Sequence, residues 1–243
     1  MPVKYKTTPK QEWDERTSLA VARKYTKPEF DHILKQYLPV SDKMTCLEIG
    51  AIPGGFLAYF NKEFKYKITG IDFAENKSVF DETMKINKIR DYKFISADIK
   101  NIKTNKKYDI VSSFGFIEHF DNYEDIINKH IELLAEGGYL VISLPNFRNL
   151  QYIYRVLFDK HNLKIHNLDS MKINKLNSII ASKGLKKIFS GHLGGIELWY
   201  DSPIKNDKLF KIRHKIVVNI NKLKHKAPNS FLYSPMMLLV YKK

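Results

Sequence analysis

A glycine-rich turn and two acidic residues beyond it carry the first chemical signal in this chain. Glu48-Ile49-Gly50-Ala51-Ile52-Pro53-Gly54-Gly55 joins an apolar run to a helical pattern. Glycines let backbone approach a ligand there, and the open N–H groups of a helix N-terminus suit an anionic group such as a carboxylate. Asp72 stands 22 residues after Gly50, at the end of a second apolar run. A carboxylate at that point can accept hydrogen bonds from both hydroxyls of a ribose. It also fits a helix N-cap beside Phe73-Ala74-Glu75, which needs no ligand. Asp98, in Phe94-Ile95-Ser96-Ala97-Asp98-Ile99, can accept from an adenine amine.

Further on, Phe114-Gly115-Phe116-Ile117-Glu118-His119-Phe120 offers an imidazole beside a carboxylate. His119 has the basicity of a general base, or it orders the loop or contacts a cofactor. A second histidine, His192, lies in Ser190-Gly191-His192-Leu193-Gly194-Gly195. Those glycines can let a loop close over a substrate, or they make an ordinary turn. Arg148, in Pro145-Asn146-Phe147-Arg148, can pair with a phosphate or carboxylate.

Positioning such groups requires strands that end beside one another. Met44–Ile49 reads as a buried strand, and Lys67–Ile71, Tyr92–Ser96, Tyr108–Ser113 and Gly138–Leu144 read as further strands, with a sixth just before Ser190. Helical patterns lie between them, among them Glu124–Leu134, which Gly137-Gly138 are expected to stop. A helical region over residues 9–38, interrupted at Pro28, precedes the first strand. This alternation predicts an α/β fold with a doubly wound, mostly parallel sheet and helices on both faces. Ligands of such sheets bind at the carboxyl ends of the strands, where Gly50–Gly55, Asp72, Asp98 and Phe114–His119 fall.

Together these positions resemble the class I S-adenosylmethionine-dependent methyltransferase superfamily, from about Trp13 to Asn146 and more loosely beyond. Glu48-Ile49-Gly50…Gly54 is similar to its acidic-x-Gly-x-Gly-x-Gly motif, Asp72 to its ribose-binding acid and Asp98 to its adenine-contacting acid. Glu118-His119 resembles the motif after the fourth strand in O-methyltransferases of the quinone-biosynthesis type. One departure stands out: the motif's middle glycine is Ile52, followed by Pro53. The resemblance implies a single Rossmann-like domain with a seven-stranded sheet. It also implies S-adenosylmethionine held by Glu48, Gly50, Ala51, Gly54, Gly55, Asp72, Phe73, Asp98, Ile99 and Phe114. Trp13, Glu118 and Arg148 are the expected acceptor ligands, with His119 and His192 as alternative bases. Aromatic faces attract a sulfonium, which suits Phe114, Phe116 and Trp13, although core packing accounts for aromatics equally well.

Composition narrows the classes. With 243 residues and 44% hydrophobic side chains, one domain can bury its core, divided as an N-terminal helical cap (1–43), a cofactor-binding core (44–145) and an acceptor-side half (146–243). The formal charge of +15 suits a nucleic acid or an acidic membrane, or reflects a lysine-rich composition alone. Lys205–Lys226 gathers many of these cations around apolar residues, as a basic helix on its own domain or against an anionic partner. A single cysteine, Cys46, excludes an internal disulfide and points to a reducing, cytoplasmic compartment. The first residues lack a signal-peptide core and no apolar run reaches spanning length. A nicotinamide-binding turn needs G-x-G-x-x-G, which is absent, as is a Cys/His zinc cluster. No metal is expected, because Glu118 and Asp121 alone do not make a hard-cation site. The expected reaction is O-methylation of a hydroxyl on a sugar, glycan precursor or small metabolite. Methylation of RNA or another nucleic acid, or a non-catalytic module of the same fold, are the alternatives.

Overall fold

The computed structural model describes residues 10–74, 76–199 and 206–243. Residues 1–9 of the expected cap, Glu75 and Lys205 lie outside the described residues. In chain order the elements are α1 (Lys10–Ser18), α2 (Asp31–Tyr37), β1 (Thr45–Ile49), α3 (Gly55–Phe64), β2 (Lys67–Asp72), α4 (Lys77–Ile86), β3 (Tyr92–Ser96), β4 (Tyr108–Phe114), α5 (Tyr123–Leu133) and β5 (Leu134–Pro145). There follow α6 (Leu150–Phe158), α7 (Lys160–Ile165), α8 (Ile173–Ser182), β6 (Lys186–Leu193), α9 (Asp207–Asn221) and β7 (Met236–Lys242). The seven strands form one sheet in the order β3-β2-β1-β4-β5-β7-β6. β1 to β5 pair in parallel, and β7 runs antiparallel between β5 and β6. The fold is thus the doubly wound, mostly parallel sheet that the strand–helix alternation predicts.

Strand side chains alternate between faces, and two cores result. Leu47, Ile49, Val111, Leu140 and Ile142 pack with α5 and α8 through Ile126, Ile127, Leu176 and Ile180. Their strand neighbours Cys46, Ile110 and Val141 pack on the other face with α2, α3 and α4 through Leu34, Leu57, Phe60, Phe80 and Met84. Both faces are covered, so the strands read as continuous apolar runs. Among the described residues no helix is long and apolar enough to cross a membrane.

Three elements differ from the sequence expectation. The N-terminal helical region is two short helices with extended chain between them. Thr17 Oγ1 turns back onto the Trp13 and Asp14 carbonyls at 3.0 and 3.1 Å, and Asn87 holds residues 23–25 open by bonding the Arg23 carbonyl and the Tyr25 N–H. α5 ends at Leu133 rather than at the glycines, because Leu134 is already extended and pairs with Tyr108. Gly137 and Gly138 fall instead in the irregularity of β5 before Ile110 meets Tyr139. The sixth strand continues through Ser190-Gly191-His192-Leu193, each paired with β7, so only Gly194 and Gly195, both at positive φ, make the turn.

His130 on α5 is fully buried, its Nδ1–H donating to the Ile126 carbonyl at 2.7 Å. Burial depresses its pKa from 6.5 to about 4. The unfolded chain therefore binds this proton more tightly between those pH values, so the stability is intact above pH 6.5 and is lost as pH falls towards 4. At about 1.4 kcal/mol per pH unit, a His130→Met variant is expected to lose about 2 kcal/mol less unfolding free energy than wild type between pH 7 and pH 5. Urea unfolding of both proteins at the two pH values checks this, and equal losses would remove His130 as the cause.

Candidate active site

The carboxyl ends of β1, β2, β3 and β4 surround a cavity of about 260 Å³. Its lining includes Gly50, Asp72, Phe73, Asp98, Ile99, Phe116 and His119, with Trp13 arriving from α1. At its base the turn after β1 is shaped by Gly50 and Gly54, at φ +77° and +97°, which only glycine adopts without strain. A Cβ on Gly50 would lie 2.4 Å from Phe116 Cδ2, and one on Gly54 2.8 Å from Met84 Cε. Gly55, where α3 begins, has open space. Glu48, Ala51, Gly54 and Gly55 form the turn behind the cavity rather than its lining.

Asp72, the last residue of β2, is buried and accepts three hydrogen bonds. The Ile52 N–H donates to Oδ2 at 3.0 Å, and the Ala74 N–H and Trp13 Nε1–H donate to Oδ1 at 3.0 and 3.1 Å. Asp72 is not the cap of a helix, since α4 begins at Lys77 after Asn76. Ile52, at the position of the motif's missing glycine, meets Asp72 through its backbone. Glu48 is buried and, among the described residues, its Oε2 has no hydrogen-bond partner. Burial foremost, then the nearby Asp72 charge, pushes its carboxyl well above the usual range, against a backbone hydrogen bond from Leu57. Asp98 caps a 3-10 turn by accepting from the Lys100 N–H at 2.9 Å.

A second cavity, of about 450 Å³, opens against the ends of β4 and β5. Phe56, Phe114, Phe147 and Trp199 give it aromatic walls, and Glu118, His119, Asn162 and His166 give it polar ones. Phe114, expected at the cofactor, stacks on Phe56 at 3.7 Å between ring centroids and lines this cavity rather than the first. Trp13 moves the other way: expected at the acceptor, it packs edge-on to Phe116 and His119 in the first cavity, at 5.8 and 5.2 Å. His119 lines both cavities.

Behind Phe147, the fully buried Arg155 pairs with Asp159 and lies 3.4 Å from the Phe147 ring centroid. Arg148 lines a separate open groove of about 850 Å³, which meets the second cavity at Phe147. His192 lies on the outermost strand and lines neither cavity. Its pKa is lowered, first by burial and then by the Arg148 charge. His166 and Trp199 were not foreseen in sequence, because nothing in their spacing relates them to residues 118 and 119. Polarity gave no signal either, because His166-Asn167 lies among other polar residues, Asp159, Lys160, His161, Asn162 and Lys164 before it and Asp169 and Ser170 after it.

Residues 22–192 match the model of a family described as a methyltransferase domain. The chain is 27% identical over 150 residues to the ubiquinone biosynthesis O-methyltransferase of Hydrogenovibrio crunogenus, a match covering 59% of each chain. It is 26% identical over 117 residues to (S)-coclaurine N-methyltransferase of Papaver somniferum, covering 47% of this chain and 33% of that one. The matches thus span from a third to three fifths of those relatives. Among solved structures the chain is similar to the MccD protein, with TM-score 0.60, 16% identity and coverage of 88% of this chain and 96% of that one. It is also similar to coclaurine N-methyltransferase bound to N-methylheliamine and SAH, with TM-score 0.57, 13% identity and coverage of 98% and 82%. At these identities the structural likeness is one of fold.

The two ends of the glycine turn should respond differently to a methyl group. Gly50→Ala combines a left-handed backbone with a clash on the cavity wall and is expected to cost about 2 kcal/mol. Gly55→Ala, in a helix with open space around it, is expected to be neutral or to stabilise by less than about 1 kcal/mol. Chemical denaturation of the two variants checks the contrast, and equal stability would show that Phe116 does not depend on Gly50.

Proposed function

The chain belongs to the methyltransferase-domain family, and we propose that it is an S-adenosylmethionine-dependent enzyme that methylates a hydroxyl on a sugar, a glycan precursor or a similar small metabolite. The observation that carries this reading is the position of His119, an imidazole lining the two cavities at once.

The residues of the first cavity suit the donor. When bound, S-adenosylmethionine supplies a methyl group on a cationic sulfonium. Asp72 offers acceptor atoms to ribose hydroxyls and Asp98 to an adenine amine. The unpartnered Glu48 Oε2 lies two residues before the Gly50 turn, as a buried acceptor suited to a cationic amine. Trp13, Phe116 and Phe120 exclude water and turn aromatic faces towards positive charge. Asp72 already holds Trp13, so a ribose engages it by sharing or displacing the indole N–H.

On the acceptor side, His119 promotes loss of the hydroxyl proton as the new bond forms. The aromatic walls of the second cavity suit the apolar face of a sugar ring, and Arg148 in the adjoining groove suits an anionic extension of the acceptor. A nucleic-acid acceptor has less support. The exposed basic face of α9 lines neither cavity, so the charge and the reaction centre are separate features. The three-part division into cap, donor core and acceptor-side half follows the same reading. A cytoplasmic address is supported by the single, buried Cys46, whose thiol burial pushes well above its ordinary pKa.

Asp72→Ala is expected to abolish the calorimetric heat of S-adenosylmethionine binding. His119→Ala should keep that heat and lose methyl transfer by at least about 100-fold. Screening wild type against hydroxyl and amine acceptors decides the chemistry. Transfer to amines alone overturns O-methylation, and wild-type turnover in His119→Ala removes the proton role.

A further inference from the structure

Glu118, His119 and His166 come together although 47 residues separate the last two. All three are buried, and one ligand atom from each lies within 4.8 Å of the other two. We propose that they form a site for one divalent transition ion of the zinc type, placed to hold the acceptor hydroxyl. No metal was expected from the sequence, which offered only Glu118 and Asp121 as candidate carboxylate ligands after the fourth strand; the structure supplies an imidazole from a distant segment.

The donor set selects the ion. Two imidazoles and one carboxylate suit zinc and its first-row neighbours, whereas magnesium and calcium prefer oxygen ligands alone. Three protein ligands leave a coordination position open. Ligand atoms sharing such an ion at about 2 Å stand roughly 3.3 Å apart, so small side-chain rotations within the present cluster complete it. The open position faces the acceptor cavity, since all three residues line it and His119 also lines the donor cavity.

The surrounding structure fixes the ligands. His166 Nδ1–H donates to the Asn162 carbonyl at 2.7 Å, which puts the lone pair of the neutral ring on Nε2, the usual outer-shell arrangement for a ligating histidine. Asn162 is itself bonded to Asp159 at 2.8 Å. Asn167 then ties the two segments together. Its N–H donates to the Glu118 carbonyl at 2.7 Å, and its side-chain amide donates to the Phe120 and Asp121 carbonyls at 3.0 and 3.3 Å. The His119 and His166 rings lie 4.5 Å apart between centroids.

An ion here would refine the role of His119, which gives its lone pair to the metal. The cation lowers the pKa of a hydroxyl that ligates it, and for each methyl group gained the acceptor releases one proton to solvent. The role in catalysis rests on the O-methylation reading, but binding of the ion does not.

Cobalt(II), which reports its ligand field in the visible spectrum, is the probe. Desalted wild-type protein is expected to retain one cobalt per chain with absorption of a four- or five-coordinate site. His166→Ala should weaken that binding by at least about 100-fold, more than the loss of an outer-shell partner costs. His225→Ala, which removes an exposed histidine outside the cluster, should retain it, and circular dichroism with donor binding verifies that each variant is folded. Should His166→Ala not fold, Glu118→Gln is read in its place. Absence of stoichiometric cobalt in wild type, or undiminished binding in the folded variant, overturns the site. Chelation separates the two proposals. Hydroxyl methylation that survives it, with no cobalt spectrum, leaves the O-methylation reading and sinks the metal. Cobalt bound at the cluster with no hydroxyl methylated does the reverse.

Discussion

The Asp72 carboxylate joins three parts of the chain at one point. Its two oxygens take N–H groups from the turn after β1, from the loop after β2 and from the indole of α1. Burying a carboxylate is costly unless it is hydrogen-bonded, so each donor also constrains the segment it comes from. The Ile52 bond fixes the turn against the neighbouring strand, and the Trp13 bond closes the cap over the cavity. A charge placed at the end of β2 thereby determines where the first cavity has its floor and its roof.

A comparable constraint operates on the acceptor side through neutral groups. Asn167 spends its backbone and side-chain donors on the carbonyls of residues 118, 120 and 121. That brings His166 to His119. The buried chain Arg155–Asp159–Asn162 continues behind it, ending at the carbonyl that orients the His166 ring. Within this run the buried Asp159 carboxylate accepts from both Arg155 and Asn162, as a carboxylate in a low-dielectric interior requires. The positions of the imidazoles are in this sense inherited from hydrogen bonds several residues away.

How much of this was legible in the sequence follows from the range of the interactions. β1 and β4 were readable within a residue or so because both faces of each strand are buried, which writes a nearly unbroken apolar run. Asp72 and Asp98 were readable because the fold brings successive strand ends together. The extended chain after α1 was not: residues 23–25 are held by Asn87, more than sixty positions away, and local pattern favoured helix. The start of β5 was hidden because Leu134 suits the apolar stripe of a helix as well as a strand, and pairing with Tyr108 decides the matter. His166 and Trp199 were invisible for the same reason as the groove around Arg148: a cavity assembled from distant loops leaves no spacing to read.

The same distinction separates the two halves of the site. The first cavity, to which the donor is assigned under the proposed function, is built from the ends of adjacent parallel strands, so a substitution within it meets backbone that the sheet already fixes. Ile52 illustrates this. Its side chain packs with the core on the α3 side of the sheet while its N–H reaches Asp72, and the glycine normally needed for close approach is supplied instead by Gly50, two residues earlier and in the left-handed region. The acceptor cavity has no such frame beyond β4 and β5. Phe147, His166 and Trp199 enter from connections outside the parallel strands, held by side-chain hydrogen bonds and by the Arg155–Phe147 contact. Changes in those connections can reshape the second cavity without disturbing Gly50 or Asp72. For that reason a fold and a donor site can be read from strand periodicity, whereas the acceptor must be read from the chemistry of the groups that line its cavity.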